Sequence, residues 1–237
     1  MTYNIMAVFF DLDDTLFDQK KAHRGALRRL KSKYGSLFSD VEFGEMVRAF
    51  YKAEKVALQD FRNGKPLEEL RLARTADFLD ILNVDTSYAG SVNEKFYELY
   101  PNVKAPLDGA ESLLRDLKDK YQLGIISNGS GRDQGNKLDA LGFRKYFETV
   151  NFSEEVGSRK PDSKIFLSAM NDLGRDPEEC LMVGDSYSAD IVGAKLVGMA
   201  TCWLNESETD SSGEGDEADF EIRKLSEVSN VLNSLSS

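Results

Sequence analysis

The 237-residue chain has one histidine, two cysteines and fewer bases than acids, and each shortage removes a class of function. The single histidine, His23, sits in a helical context rather than beside a nucleophile, so a histidine-based triad is hard to build. Cys180 and Cys202 both fall in apolar stretches and read as buried thiols, which suit a reducing cytosol. Lys and Arg number 30 against 41 Asp and Glu, a net charge of −11, which argues against a surface for a nucleic-acid polymer. No apolar run approaches the ~20 residues that span a bilayer. The start, "MTYNIMAVFFDLDD", lacks the basic region and small-residue cleavage site of a secretory signal. The expectation is a cytoplasmic protein with no membrane partner; nothing in the sequence sets its oligomeric state.

What is present is ordinary for a globular chain that buries a core: 41% hydrophobic and 30% charged residues. Part of the acidic excess lies in "NESETDSSGEGDEAD" (205–219), whose seven acids and no bases read as a solvated loop. Short apolar runs bounded by polar residues predict strands at Ile5–Phe10, Gln122–Ser127, Glu148–Phe152, Cys180–Asp185 and Ala200–Leu204. Helical patterns lie between them. "DGAESLLRDLKDKY" has Asp108 as N-cap and Ala110, Leu113, Leu114, Leu117 and Tyr121 on one stripe. "PDSKIFLSAMNDLG" opens with Pro161 at the first helical position and closes at Gly174, and "SADIVGAKLVG" closes at Gly198. Alternating strands and helices predict an α/β fold, a Rossmann-like parallel sheet with helices on both faces and ligands at the carboxyl ends of the strands.

From Phe17 to Tyr100 only helical periodicity appears, as in Ala22, Ala26, Leu30 and Tyr34, then Phe43, Val47, Phe50, Ala57 and Phe61. An all-helical subdomain is expected at 17–104, inserted after the first strand into a core made of 1–16 and 105–237.

Three predicted strands end in polar residues: Asp11 and Asp13 after the first, Ser127 and Asn128 after the second, Asp185 after a later one. Two carboxylates about 4 Å apart at an effective dielectric near 20 repel by roughly 4 kcal/mol, so this edge needs a counter-charge. Asp11, Asp185 and a backbone carbonyl of the first loop, assigned to Asp13, make a hard oxygen site suited to Mg²⁺. Lys160, before Pro161, is placed near a helix mouth on the same edge. Ser127 and Asn128 offer donors to phosphate oxygens. Asp11 is then a carboxylate nucleophile, and Asp13 protonates the leaving oxygen and afterwards activates water. Asp14 and Asp18 read instead as loop or capping residues, with Asp18 the N-cap of the first helix of the insertion.

"DLDDT" after an apolar strand, "SNG", "RKPD" and "GDSYSAD", in that order, resemble the four signatures of the haloacid dehalogenase-like hydrolases. The resemblance implies Asp11 as nucleophile and Asp13 as acid/base. Ser127 and Asn128 hold phosphate, Thr15 orients the loop and counts with the phosphate-binding group, and Lys160 stabilises charge. Asp185 ligates Mg²⁺, Asp190 supports the metal or Lys160, and the helical insertion is a cap. "SEEVGSRKPDSKIF", "CLMVGDSYSADI" and "ATCWLN", with "FRNG" in the cap, are similar to bacterial pyrimidine 5′-nucleotidases, and the "SNG" to "RKP" region less closely to N-acylneuraminate-9-phosphate phosphatases. The implied activity is Mg²⁺-dependent hydrolysis of a small phosphorylated metabolite, a nucleoside 5′-monophosphate first and a sugar phosphate second. A phosphomutase has a similar core and stays open. Dehalogenase chemistry lacks the second aspartate, and a phospho-accepting receiver domain has no place for the insertion or for Lys160 ahead of Asp185. In the cap, Arg62, Asn63 and Arg74 are either substrate contacts or solvated polar residues.

Overall fold

The central strand β1 (Ala7–Phe10) is the sequence AVFF, four apolar residues in succession and all fully buried. A strand with no polar face must be covered on both sides, which is the position of a central strand in a parallel sheet. The computed structural model, which describes residues 4–62, 67–206 and 218–235, places it there. Strands β2 (Gln122–Ser127), β3 (Thr149–Phe152), β4 (Cys180–Gly184), β5 (Ala200–Leu204) and β6 (Phe220–Ile222) join it in one sheet of order β3-β2-β1-β4-β5-β6. Every pairing is parallel. The chain runs outward from β1 through β2 to β3, then returns to β4 and runs the other way. The order therefore reverses between β1 and β4, and the crevice beyond the carboxyl ends at such a reversal is where this architecture binds ligands. Register aligns the ends: Phe10 is level with Ile125 of β2 and with Val183 of β4.

Helices α5 (Ala110–Leu117), α6 (Gly131–Leu141), α7 (Ser153–Val156), α8 (Ser163–Leu173), α9 (Val192–Leu196) and α10 (Val228–Leu235) follow the strands. On one face Ala7, Phe9, Ile126 and Met182 pack with Ile165, Phe166 and Ala169 of α8 and Ala194 of α9. Val8 and Phe10 point the other way by strand alternation and are equally buried. Gly124 lets β2 approach β1, since a Cβ there would lie 2.6 Å from the Phe9 ring.

The expected strands appear, some shortened at an end, and three local expectations are corrected. Pro161 does not start a helix: α8 begins at Ser163, capped by Asp162, whose side chain accepts the Lys164 N–H at 2.8 Å. Gly109, at φ 80°, rather than Asp108, holds the N-cap position of α5, because the chain enters that helix through a left-handed residue. Strand β6, only three residues long and directly after the acidic segment, is too short to register as a run. It is tied to β5 by Asp219, whose carboxylate accepts the N–H and hydroxyl of Thr201 at 2.9 and 2.8 Å. Most of the acidic loop, 207–217, lies outside the described residues. The chain divides into two units, one of 1–19 and 104–237 and one of 20–103. The crossing strands run together: Asp18 N–H donates to Ala105 O and Leu107 N–H to Leu16 O, both at 2.9 Å.

The second unit is helical, with α1 (Gln19–Lys33), α2 (Phe43–Arg62), α3 (Leu67–Ile81) and α4 (Ala89–Leu99). Ala22, Ala26 and Leu30 of α1 and Val47 and Phe50 of α2 are buried as the periodicity requires, whereas Tyr34, Phe43 and Ala57 are half-buried. His23 stacks among Phe50, Phe96 and Tyr100, with ring centroids 4.7 to 6.0 Å away. Arg74 is not a solvated residue. It is buried, ion-paired with Glu54, and its guanidinium lies 4.7 Å from the Phe50 ring centroid. The Arg62 side chain and Asn63 lie outside the described residues. No helix among the described residues is long and apolar enough to cross a membrane. Cys180 and Cys202 are free, and burial pushes both thiols up to about 12.

Candidate active site

Asp11 is the first residue beyond β1, and its N–H donates to Val183 O of β4 at 2.9 Å, so the sheet ladder itself fixes its backbone. Lys160 comes from the turn before α8. Its ammonium sits 2.5 Å from Asp11 Oδ1, 2.6 Å from Asp190 Oδ1 and 2.8 Å from the carbonyl of Ile126. Two hydrogen bonds and one further ion pair hold the ammonium, so Lys160 contributes fixed charge at this site. Asp190 lies in a π-helical turn, Tyr187–Ile191, of the kind that often marks functional positions. Its other oxygen accepts the Ser186 N–H at 3.0 Å. Gly184, at the end of β4, leaves the room for this, because a Cβ there would lie 2.2 Å from Asp190 Oδ2. Asp185 follows. Its carbonyl accepts the Trp203 indole N–H at 2.9 Å and its Oδ1 accepts from the Thr15 hydroxyl at 3.4 Å.

Asp11, Asp185 and Asp190 thus each bring a carboxylate oxygen within 4.8 Å of the others. One ammonium cannot balance three carboxylates; full ionisation leaves a surplus of two negative charges, the charge a divalent cation supplies. Burial, and then the neighbouring Asp190 and Asp13, push Asp11 up to about 7 despite the opposing pull of Lys160. Burial and then Asp11, Asp190 and Asp14 push Asp185 up to about 8. Burial alone would lower Lys160, but Asp11 and Asp190 lift it above its ordinary value and keep it charged. Folding therefore retains protons on Asp11 and Asp185 that the unfolded chain has released. With no metal present, the stability from this source is complete near pH 4 and is lost as pH rises through 7 to 8. In chelator the protein is expected to be less stable at pH 8.5 than at pH 5.5 by at least ~2 kcal/mol, or roughly 4–8 °C in Tm. Millimolar Mg²⁺ should raise Tm more at pH 8.5 than at pH 5.5. Thermal melts with and without chelator check this, and equal Mg²⁺ shifts at both pH values would contradict it.

The other predicted residues are placed with more variety. Ser127 ends β2 with its hydroxyl buried and without a hydrogen-bond partner among the described residues. A buried hydroxyl in that state costs ~1–3 kcal/mol, which a ligand oxygen would offset. Asn128 stands beside it, but its amide is committed: Nδ2 donates to Lys160 O at 3.1 Å and Oδ1 accepts Lys160 N–H at 2.8 Å. Its side chain positions the Lys160 backbone and keeps a second amide N–H beyond that bond. Thr15, expected among the phosphate-binding residues, is fully buried with its hydroxyl on Asp185, so it steers that carboxylate instead.

Asp13 does not join the three clustered carboxylates. Its side chain turns toward α6, where Lys137 and Gln134 hold it. A metal contact from residue 13 would have to come from its carbonyl rather than this carboxylate. Asp14, at φ 54°, accepts the N–H of Gln19 at 3.1 Å and its side-chain amide at 3.0 Å, a capping role at the start of α1. Asp18 stands immediately before the first residue of that helix.

Gln134, Lys137 and Trp203 were not foreseen. A signal for the first two did exist: both share the buried face of α6 with Leu138 and Leu141. A lysine on an apolar stripe implies an acidic partner.

Comparison with known proteins agrees with this arrangement. The model of the haloacid dehalogenase-like hydrolase family matches residues 5–198. The pyrimidine 5′-nucleotidase YjjG of Escherichia coli is 34% identical over 95% of this chain and 96% of its own. A glyceraldehyde 3-phosphate phosphatase of Methanothermobacter thermautotrophicus is also 34% identical, over 87% of this chain and 88% of its own. Among solved structures, the magnesium-bound putative HAD-hydrolase YfnB of Bacillus subtilis superposes with a TM-score of 0.82 at 26% identity, covering 97% of this chain and 99% of that one. The matched span includes all four sheet-end motifs, and this chain belongs to the haloacid dehalogenase-like hydrolases.

Proposed function

We propose that the protein is a Mg²⁺-dependent phosphomonoesterase that hydrolyses a small phosphorylated metabolite, with nucleoside 5′-monophosphates as its preferred class, through an aspartyl-phosphate on Asp11. The observation that carries this is the surplus of buried carboxylate around a single lysine, with an unpartnered buried hydroxyl, Ser127, at the end of the neighbouring strand β2. Asp11 and Asp185 would hold Mg²⁺ together with the carbonyl of residue 13, and that few-carboxylate oxygen set leaves room for phosphate and water. When bound, the metal supplies positive charge that draws the phosphoryl group to the acidic edge and polarises it.

Asp11 attacks phosphorus, and the bond from phosphorus to the leaving oxygen breaks as Asp13 gives that oxygen its proton. Asp13 then accepts a proton from water, whose oxygen attacks phosphorus and releases phosphate from Asp11. Lys160 and the Ser127 hydroxyl remain fixed while charge shifts around them, so little reorganisation opposes the transfer. Asp13, with its two holders on α6, argues against dehalogenase chemistry, which has no use for a second aspartate. The helical unit, 20–103, serves as the substrate-selecting cap, and the buried free thiols suit a reducing cytosol.

The nucleotide preference rests on similarity to the nucleotidase, and a sugar or triose phosphate is the second reading because an equally similar relative is named for glyceraldehyde 3-phosphate. The test is a panel of UMP, dUMP, dTMP, purine nucleotides, hexose and triose phosphates and N-acylneuraminate 9-phosphate, each with Mg²⁺ and with chelator. The expected result is phosphate release that requires Mg²⁺, with kcat/KM at least about tenfold higher for a pyrimidine nucleotide than for any sugar phosphate, a difference of ~1.4 kcal/mol in transition-state binding. A preference for sugar phosphates would replace the nucleotide reading, and no release from any ester would end the phosphatase reading.

A further inference from the structure

Lys137 is an unusual lysine. It lies on the buried face of α6 and is only 4% exposed, yet both of its described hydrogen bonds fall on one carboxylate: Asp13 Oδ1 at 2.6 Å and Oδ2 at 2.8 Å. Its ammonium also stands 5.2 Å from the ring centroid of Phe17, which closes the loop that carries Asp13. One turn earlier on α6, the buried Gln134 donates through Nε2 to Asp13 Oδ2 and to Asn128 O, both at 3.0 Å. One amide nitrogen thus ties Asp13 to the loop after β2, the loop whose Asn128 fixes the backbone of Lys160. The Asp13 side chain itself remains 23% exposed, against 5% for Lys137. The acid is thus held by two buried α6 residues while its own side chain is only partly enclosed.

A buried cation is expensive to desolvate unless its pairing is close and well satisfied. A purely structural pair would serve as well with both partners enclosed. Here the lysine is enclosed and the aspartate side chain partly exposed, and that aspartate is the one that, on the proposed reaction, meets first a leaving oxygen and then a water. We propose that Lys137 and Gln134 are positioning residues for Asp13, the acid/base of the proposed reaction, and that they fix the orientation of its carboxylate. Their described side-chain contacts reach the proposed chemistry through Asp13. The proposal rests on the phosphatase reading.

Misplacing a general acid penalises poor leaving groups more than good ones, because p-nitrophenolate departs with little need of a proton while an alkoxide needs one. The wild type, Lys137→Met, Gln134→Leu, Lys137→Arg and the surface control Lys118→Met are compared on p-nitrophenyl phosphate and on the alkyl monoester the wild type hydrolyses best. Lys137→Met should lose about 10²-fold in kcat/KM on the alkyl ester and less than about fivefold on p-nitrophenyl phosphate. Gln134→Leu should move the ratio the same way by a smaller factor. Lys137→Arg should restore most of it, and Lys118→Met should match wild type. Slowed attack of water should also give Lys137→Met a burst of p-nitrophenolate that the wild type lacks.

Loss by the same factor on both esters, whether from misfolding or from general disturbance, would overturn the positioning role, as would no loss on either. Gln134→Leu guards against a Lys137 variant that does not fold, since it removes a neutral partner and leaves the charge pair; an unchanged ratio there would overturn the role of Gln134. A wild type that hydrolyses neither ester would instead remove the phosphatase reading beneath it.

Discussion

Replacing Asp11 with asparagine is expected to lower kcat/KM for the best substrate by at least ~10⁴-fold while leaving the protein as stable as before, or more so. The amide has the shape of the carboxylate but is no nucleophile, and removal of a catalytic nucleophile in other hydrolases costs up to about 10⁶ in rate. Stability should move the other way, because Asp11 belongs to a group of three carboxylates sharing one ammonium. Lys160 keeps Asp190 and the Ile126 carbonyl, so no buried cation is stranded. In chelator at pH 8, Tm should therefore be unchanged or raised, a trade of activity against stability frequent at strained sites. Acid-quenched wild type mixed with labelled substrate should carry covalent phosphate, and the variant none. Turnover above about a tenth of wild type would remove Asp11 as nucleophile.

Lys160→Met is expected to fail on both counts. It leaves Asp11 and Asp190 buried without their shared cation, and breaking a buried pair from one side costs roughly 3–5 kcal/mol. For a chain of this size that is ~10 °C or more in Tm. The two acids escape the cost by holding protons, so the deficit should be smaller at pH 5.5 than at pH 8. Activity should fall about 10³-fold, the scale of losing one preorganised electrostatic partner. The double variant Lys160→Met, Asp190→Asn separates the effects: it removes one stranded charge and should regain part of the stability with no activity. A double variant that recovered turnover would show that Lys160 acts only to hold the fold.

Much of this arrangement was legible in the residues. Strand β1 announced itself by four apolar residues ending at an aspartate, and β2 and β4 by similar runs ending at Ser127 and just before Asp185. Periodicity cannot report which oxygen a side chain has already claimed. Asn128 and Thr15 have the chemistry of phosphate ligands, yet tertiary contacts turn one onto the Lys160 backbone and the other onto Asp185. The π-helical turn that swings Asp190 beneath Gly184 has no local sequence signature, because it depends on space left by a glycine six residues earlier. Asp13 and Asp14 were adjacent acids with the same propensities; what separates them is a left-handed backbone at Asp14 and the side chains of α6 waiting for Asp13.

The hydrogen bonds and the ion pair joining Asp13, Gln134, Asn128, Lys160, Asp11 and Asp190 connect six positions spread over 180 residues of sequence, yet every one belongs to the unit of 1–19 and 104–237. None passes through 20–103, which is spliced in at two peptide bonds. On the proposed reading of 20–103 as the substrate-selecting cap, the inserted helices could be rewritten without breaking any of these bonds.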